Sequence, residues 1–359
     1  MIRRGILSIV AIACFAVADV AAAEQPWPAS SVLRARDLTP FGLLRLDMRP
    51  ATMHADPVDR WTFELQAAYQ NTFIASENVK AYLQNRNAGR APIRPQDAQA
   101  ILALPGDAYY LDVEVGTVDL VLRRGLTETL GVFFELPYLH YSEGRFDSWI
   151  EGFHRAFGMG QMGRDLVARD RFQMIYRLGD VQHAQLDREV QGGFGDPLVG
   201  VRYSPPGRGA WDVTLETAMK LAVAGQRPLL STGKHDIGAQ AALQRRSGRH
   251  ALYGSLSAVY YSGGMPESPE AQVIPTLVLA YTFAATRETS FVVQSYASRS
   301  VVRDTALSEL RAPKYQLSFG VQSRIRDWKW SLALTENIAN FDNTPDIGAQ
   351  LALTHGASQ

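Results

Sequence analysis

Eight charged residues sit inside strand-like segments, each beside at least one oily neighbour: Glu114, Asp119, Glu135, Asp212, Glu216, Lys220, Arg324 and Lys329. In an extended chain successive side chains point to opposite faces, so these charges share a face apart from the apolar one. Around a wet interior they would set which ions or solutes pass. In a packed interior they would neutralise one another. A second group lies between Phe146 and Gly158, where His154 stands beside Glu151 and Arg155, the pairing of a general base or a metal ligand. No second histidine follows at metal spacing, and a solvated loop histidine is the simpler reading. The glycines and charges from Gly158 to Arg171 would suit a phosphate cradle only between a strand and a helix. Without that order they read as loop ion pairs or as contacts to anionic lipopolysaccharide. Asp196, in Gly192-Gly193-Phe194-Gly195-Asp196-Pro197, is either a pore-lining acid or turn chemistry. No serine occupies a nucleophile elbow, so an enzyme would need His140, His154 or His235 as base and partners from distant segments. No catalytic residue, metal ligand or cofactor is assigned.

The elements that must carry these charges are strands. From Trp211 to Val223 the positions Trp211, Val213, Leu215, Thr217, Met219, Leu221 and Val223 alternate with Asp212, Thr214, Glu216, Ala218, Lys220 and Ala222. Alternation alone fits a sandwich or a membrane barrel, but segments of roughly ten or more residues match the about 9–11 of a tilted membrane-crossing strand rather than the usual 5–6. Period-two reading places about twelve strands, near 61–74, 109–122, 128–141, 194–204, 211–224, 236–246, 250–262, 271–284, 289–300, 314–325, 328–338 and 346–354. The connections alternate between short turns and long links. An even-stranded barrel with short periplasmic turns and long external loops has this asymmetry. In the strand from Tyr109 the apolar phase changes at Gly116, which predicts a bulge there. Two aromatic girdles are expected: Tyr203, Trp211, Phe283, Phe291, Trp328 and Trp330 near the short turns, and Tyr138, Tyr141, Tyr260, Tyr261, Tyr296 and Tyr315 near the long loops.

The segment FDSWIEGFHRAFG breaks the strand pattern. Phe146, Trp149, Ile150, Phe153 and Phe157 recur at helical spacing, Ser148 and Glu151 form a capping-box pair, and Gly158 suits a C-cap. This predicts an amphipathic helix in the largest external loop, either folded inward with Trp149, Phe153, His154 and Phe157 as a lid, or lying at the lipid interface, or capping the mouth.

Residues 1–23 read as a signal peptide: Arg3 and Arg4, an apolar run, then Ala21-Ala22-Ala23. Cys14, the one cysteine, lies in that leader behind Ala11-Ile12-Ala13, a poor lipidation signal, so a cleaved chain has neither disulfides nor cysteine metal sites. The 36 basic and 36 acidic residues balance, which argues against a nucleic-acid partner. No later run of about 18 apolar residues offers a membrane helix.

The block LTETLGVFFELPYLHYSEGRFDSWIEGFHRAFGMGQMGRD, Leu126 to Asp165, with GFGDPLVGVRY, Gly193 to Tyr203, resembles the bacterial family of unknown function DUF3187. The resemblance implies an outer-membrane β-barrel of a Gram-negative bacterium and no particular reaction or ligand. The terminal aromatic common in such barrels is replaced here by Leu351-Ala352-Leu353-Thr354 and five further residues.

The sequence therefore predicts an all-β chain: a signal peptide over 1–23, a periplasmic segment over 24–60, and an antiparallel transmembrane barrel of about twelve strands over 61–359. The functional expectation is a passive channel or small-solute uptake protein. The alternatives are a lipid-acting outer-membrane enzyme, or a closed barrel with a structural or adhesion role. Expected partners are outer-membrane lipid and lipopolysaccharide, the outer-membrane assembly machinery and a small solute.

Overall fold

The computed structural model describes residues 32–356 apart from 40, 87, 145, 157, 159, 187–191, 226, 228, 267, 340–342 and 345. The signal-peptide reading lies outside the described residues. Fifteen strands follow in order: β1 (Thr62–Ala75), β2 (Ala108–Gly125), β3 (Leu130–Ser142), β4 (Gln173–Leu178), β5 (Val181–Leu186), β6 (Gly193–Phe194), β7 (Leu198–Tyr203), β8 (Trp211–Lys220), β9 (Asp236–Ser247), β10 (His250–Tyr261), β11 (Gln272–Ala284), β12 (Thr289–Ser298), β13 (Lys314–Ile325), β14 (Trp328–Ala339) and β15 (Ile347–His355). Each wall strand pairs antiparallel with its neighbours, and β1 pairs with both β2 and β15. The sheet therefore closes into a twelve-stranded barrel, with β4, β5 and β6 outside the ring. Closure removes the exposed edges that an open sheet would leave in lipid.

All short turns and the start of β1 lie at one end. The long connections gather at the other, where they carry α1 (Glu77–Asn85), α2 (Pro95–Leu102), α3 (Asp147–Ala156) and α4 (Ser308–Arg311). The wall's outer face is apolar and open: Leu65, Val201, Leu215, Leu256, Leu277 and Leu334 are among its exposed side chains. Its inner face is polar and buried, with Gln66, Thr117, Thr214, Gln240, Gln294 and Gln350. This inversion of a soluble core fits a barrel crossing a membrane. At the short-turn rim Trp61, Tyr203, Trp211, Phe291 and Trp328 face out, as do Tyr138 and Tyr260 toward the other end. Tyr141, Tyr261 and Tyr296, by contrast, are buried.

Two expectations require correction. No bulge occurs at Gly116: β2 runs in unbroken register against Tyr69 on one side and His140 on the other, so its faces never exchange. Tyr109, Leu111, Val113 and Val115 consequently belong to the inner face and pack around the inside of the long-loop mouth. An irregularity is found instead between β13 and β14 at Tyr315/Gln316. The second concerns the stretch read as a periplasmic segment. From Val32 to Asp56 it is inside the barrel, with Val32, Leu33, Leu46, Met48, Ala51 and Met53 all buried.

Candidate functional site in the barrel lumen

The segment from Val32 to Pro57 climbs the lumen, reverses in a turn at residues 41–45 and descends to the short-turn end, where the Gly125 amide donates to the Pro57 carbonyl at 3.0 Å. Its described residues form no ladder with the wall, so its backbone needs other partners. Wall glutamines supply them. Gln294 accepts from the Leu33 amide at 3.1 Å, while Gln322, Gln350 and Gln240 donate to the carbonyls of Val32, Arg34 and Arg49 at 3.1, 3.0 and 2.8 Å. Two wall glycines let it come close. A Cβ on Gly238 would stand 2.9 Å from Met48 Sδ and 3.0 Å from Leu46, and one on Gly320 would crowd Leu33.

Charge fixes the segment further. Arg49 donates to Asp119 at 2.6 Å and to Glu135 at 2.7 Å, Arg36 reaches Asp119 at 3.1 Å, and Arg34 reaches Glu64 at 3.1 Å. Near the turn Arg45 binds Asp37 at 3.1 Å and the Tyr296 hydroxyl at 2.8 Å, and Lys314 also pairs with Asp37. On the descending arm Asp56 accepts from Arg123 at 3.1 Å. These ions are buried in opposite-sign contacts, so removing one partner leaves the other charged and dry. The turn itself closes the long-loop mouth: Phe41, Leu43 and Leu44 pack with Tyr109, Tyr141, Phe172, Tyr176 and Tyr261.

Of the eight charges read from sequence, Asp119 and Glu135 hold the lumen segment as described. Lys220 also touches it, donating to the Leu44 carbonyl at 2.8 Å while pairing with Asp236 at 2.9 Å. Glu216 faces Arg202 at 3.7 Å, and Asp212 pairs with Arg246 at 3.0 Å. Arg324 and Lys329 border a cavity of about 110 Å³ at the short-turn end. Glu114 does not line the lumen. With no bulge at Gly116 it falls on the outer face of β2, where it accepts from Asn71 at 2.8 Å and lies beneath the external loop at Gly144. Asp196 accepts from the Ala224 amide at 3.1 Å and the Ser231 hydroxyl at 2.6 Å, binding the β6–β7 junction to the β8–β9 loop.

Helix α3 lies against the outer flank of the wall, not across the mouth. Phe146 meets Tyr69 edge-on at 5.4 Å, Arg164 bonds Asp147 at 2.6 Å, and Arg164 also bonds Asn71 and Asp346. Trp149 and Phe153 stack at 6.0 Å with Trp149 about half exposed, and Phe157 lies outside the described residues. Glu151 receives Arg90 at 2.7 Å and Arg169 at 2.6 Å. Burial opposes its ionisation, but those guanidinium groups outweigh it and hold the carboxyl at about 2. Burial pushes the neighbouring His154 imidazole below its ordinary range. His140 is exposed on β3, and His235 Nδ1 accepts from the Ala222 amide at 3.1 Å in the β8–β9 loop, so the three histidines are not brought together.

Residues 95–357, from the start of α2 past the end of β15, match the family described as protein of unknown function DUF3187. The chain belongs to that family. Among solved structures this DUF3187 barrel is similar to the COG4313 outer membrane channel from Pseudomonas putida F1, at a TM-score of 0.51 and 14% identity over 86% of this chain and 99% of that one. It is more distantly similar to the NanC porin, at 0.42 and 8% over 82% and 98%. The Pseudomonas putida toluene transporter TodX gives 0.39 and 9% over 83% and 90%. At such identities the likeness is one of fold. No curated protein matches the DUF3187 chain by sequence. The lumen segment precedes the stretch that matches the family.

Proposed function

We propose that this chain is an outer-membrane channel or small-solute uptake protein whose passage is controlled by its own N-terminal segment. One observation carries the reading: a polar barrel interior is occupied by a strip of chain held along its length by side chains, with a backbone bond to the wall, among the described residues, only at its Pro57 end. A strip without ladder hydrogen bonds leaves without unzipping the wall. The fold shared with an outer membrane channel supports the reading, as does the apolar outer face. In this arrangement the short turns face the periplasm, the long loops face outward, and the exposed leucines and valines contact acyl chains. With the segment displaced, Asp119 and Glu135 lose their arginine partners and face the permeating solute, where they bias selectivity.

Single-channel recording in planar bilayers tests this. The native protein is expected to conduct weakly, and Arg49→Ala to open in larger and more frequent steps. A native barrel that conducts like a wide pore, or an Arg49→Ala protein as silent as the native one, would contradict control by the segment. Silence in both would leave a sealed barrel with a structural role, which the filled lumen also suits.

A further inference from the structure

At the short-turn mouth Arg324 of β13 and Lys329 of β14 are directly opposed across the strand pair. Like charges in that position repel, and sheets ordinarily avoid them unless something of opposite sign lies between. Among the described residues neither side chain makes an ion pair or hydrogen bond with a carboxylate. Three carboxylates border the cavity of about 110 Å³ with them: Glu64, already held by Arg34 and Arg123, Asp56, held by Arg123 and Arg202, and Glu288, which accepts from the Thr286 hydroxyl; against these the lining sets Arg34, Arg123, Arg287, Arg324 and Lys329, so the cations are in excess. Asp327 is exposed in the turn between the two strands.

The same two side chains border two cavities. The inner one, about 110 Å³, adds His54, whose buried Nε2 has no hydrogen-bond partner, and the hydroxyls of Ser290 and Ser331. The outer one, about 460 Å³, adds Arg60, Trp61 and Phe63 at the rim. A guanidinium, an ammonium, hydroxyls and an unsatisfied imidazole nitrogen converge on spaces that open to solvent. The guanidinium fork matches tetrahedral oxyanions, and the ammonium adds a second point charge. Two opposed cations attract an oxyanion, and a phosphate, as a doubly charged monoester or a singly charged diester, presents tetrahedrally placed oxygens that the guanidinium fork and the ammonium reach together where a planar carboxylate presents two.

We propose that Arg324 and Lys329 form a binding site for a phosphate group at the short-turn mouth, supplied by a phosphorylated solute or by a phospholipid headgroup. The site does not require the barrel to conduct, so failure of the channel reading leaves it standing. Calorimetric titration of the purified full-length barrel in neutral detergent with inorganic phosphate tests it. Saturable binding is expected, weakened at least tenfold in Arg324→Gln and in Lys329→Gln and unchanged in Arg303→Gln, which lies at the opposite end. Phosphate should also raise the melting temperature of the native barrel and not of the two site variants, and their unliganded melting temperatures should equal or exceed the native value once repulsion is removed. Displacement by dihexanoyl phosphatidylglycerol identifies a headgroup as the source, and its failure to compete identifies a free solute; either result keeps the site. No saturable phosphate binding by the native barrel, or binding undiminished in both site variants, would overturn the proposal.

Discussion

Arg49 is the residue on which the closed lumen most depends, because one guanidinium satisfies both Asp119 and Glu135. Truncating it leaves Glu135 buried without a direct cation partner and Asp119 with Arg36 alone, and breaking a buried pair in this way costs about 3–5 kcal/mol. The cost falls on the seating of the segment, since the wall strands keep every ladder bond. Glu151 has a pH signature. Its carboxyl titrates near 2 in the folded chain, below its ordinary value, so its contribution is complete above the unfolded value and lost as pH falls through the folded one. Limited proteolysis should show the external loop that carries α3 resistant at pH 6, progressively cut between about pH 4.5 and 2 by an acid-stable protease, and cut at pH 6 already in Glu151→Gln. Unchanged protection in that variant would remove the anchor. At this scale Asp119, Glu135 and Glu216 were legible in the sequence, because alternation with apolar neighbours assigns a face. The arginines that meet them were not. Arg34, Arg36, Arg45 and Arg49 lie in a stretch with neither helical nor strand period, and an irregular segment gives no direction for its side chains. The remaining signal was stoichiometric: a run of arginines among leucines ahead of a barrel whose interior carried acids to be neutralised.

Among the elements, the lumen segment and α3 make opposite predictions. A valine at Gly238 would meet Met48 and Leu46, the nearest atoms to its Cβ, all of which belong to the segment. Overpacking of this kind costs about 1–3 kcal/mol. Gly238→Val should therefore raise conductance while the barrel keeps its strand content by circular dichroism. Deleting residues 146–158 should leave conductance unchanged, because α3 flanks the wall from outside. A conductance rise on that deletion would restore the lid that the helical spacing first suggested. The strands themselves were readable, since a membrane wall demands period two over ten or so residues and few other folds do. The misreading at Gly116 has a physical cause. Above that residue the inner face of β2 turns apolar to pack on Phe41, Leu43 and Leu44, while the outer face turns polar beneath the external loop. Polarity therefore exchanges faces although the backbone does not, and a sequence pattern cannot separate that from a bulge.

Over the whole molecule, the barrel is oily outside and polar inside, and it uses its own chain rather than solvent to fill that interior. Closure was legible from the even number of strands and the alternation of short and long connections; occupancy was not, because it depends on contacts between residues separated by up to 316 positions, as between Gln350 and Arg34. The most direct test is the solvent accessibility of the segment. In protein with Cys14 replaced, a single cysteine at Ala51, fully buried in the lumen, is challenged with a maleimide reagent beside a control cysteine at exposed Val58. A lumen filled by the segment gives rapid labelling at 58, labelling at 51 slower by at least tenfold, and acceleration at 51 when Gly238→Val is added. Equal rates at the two positions in the otherwise native barrel would show that the lumen is not filled by this segment.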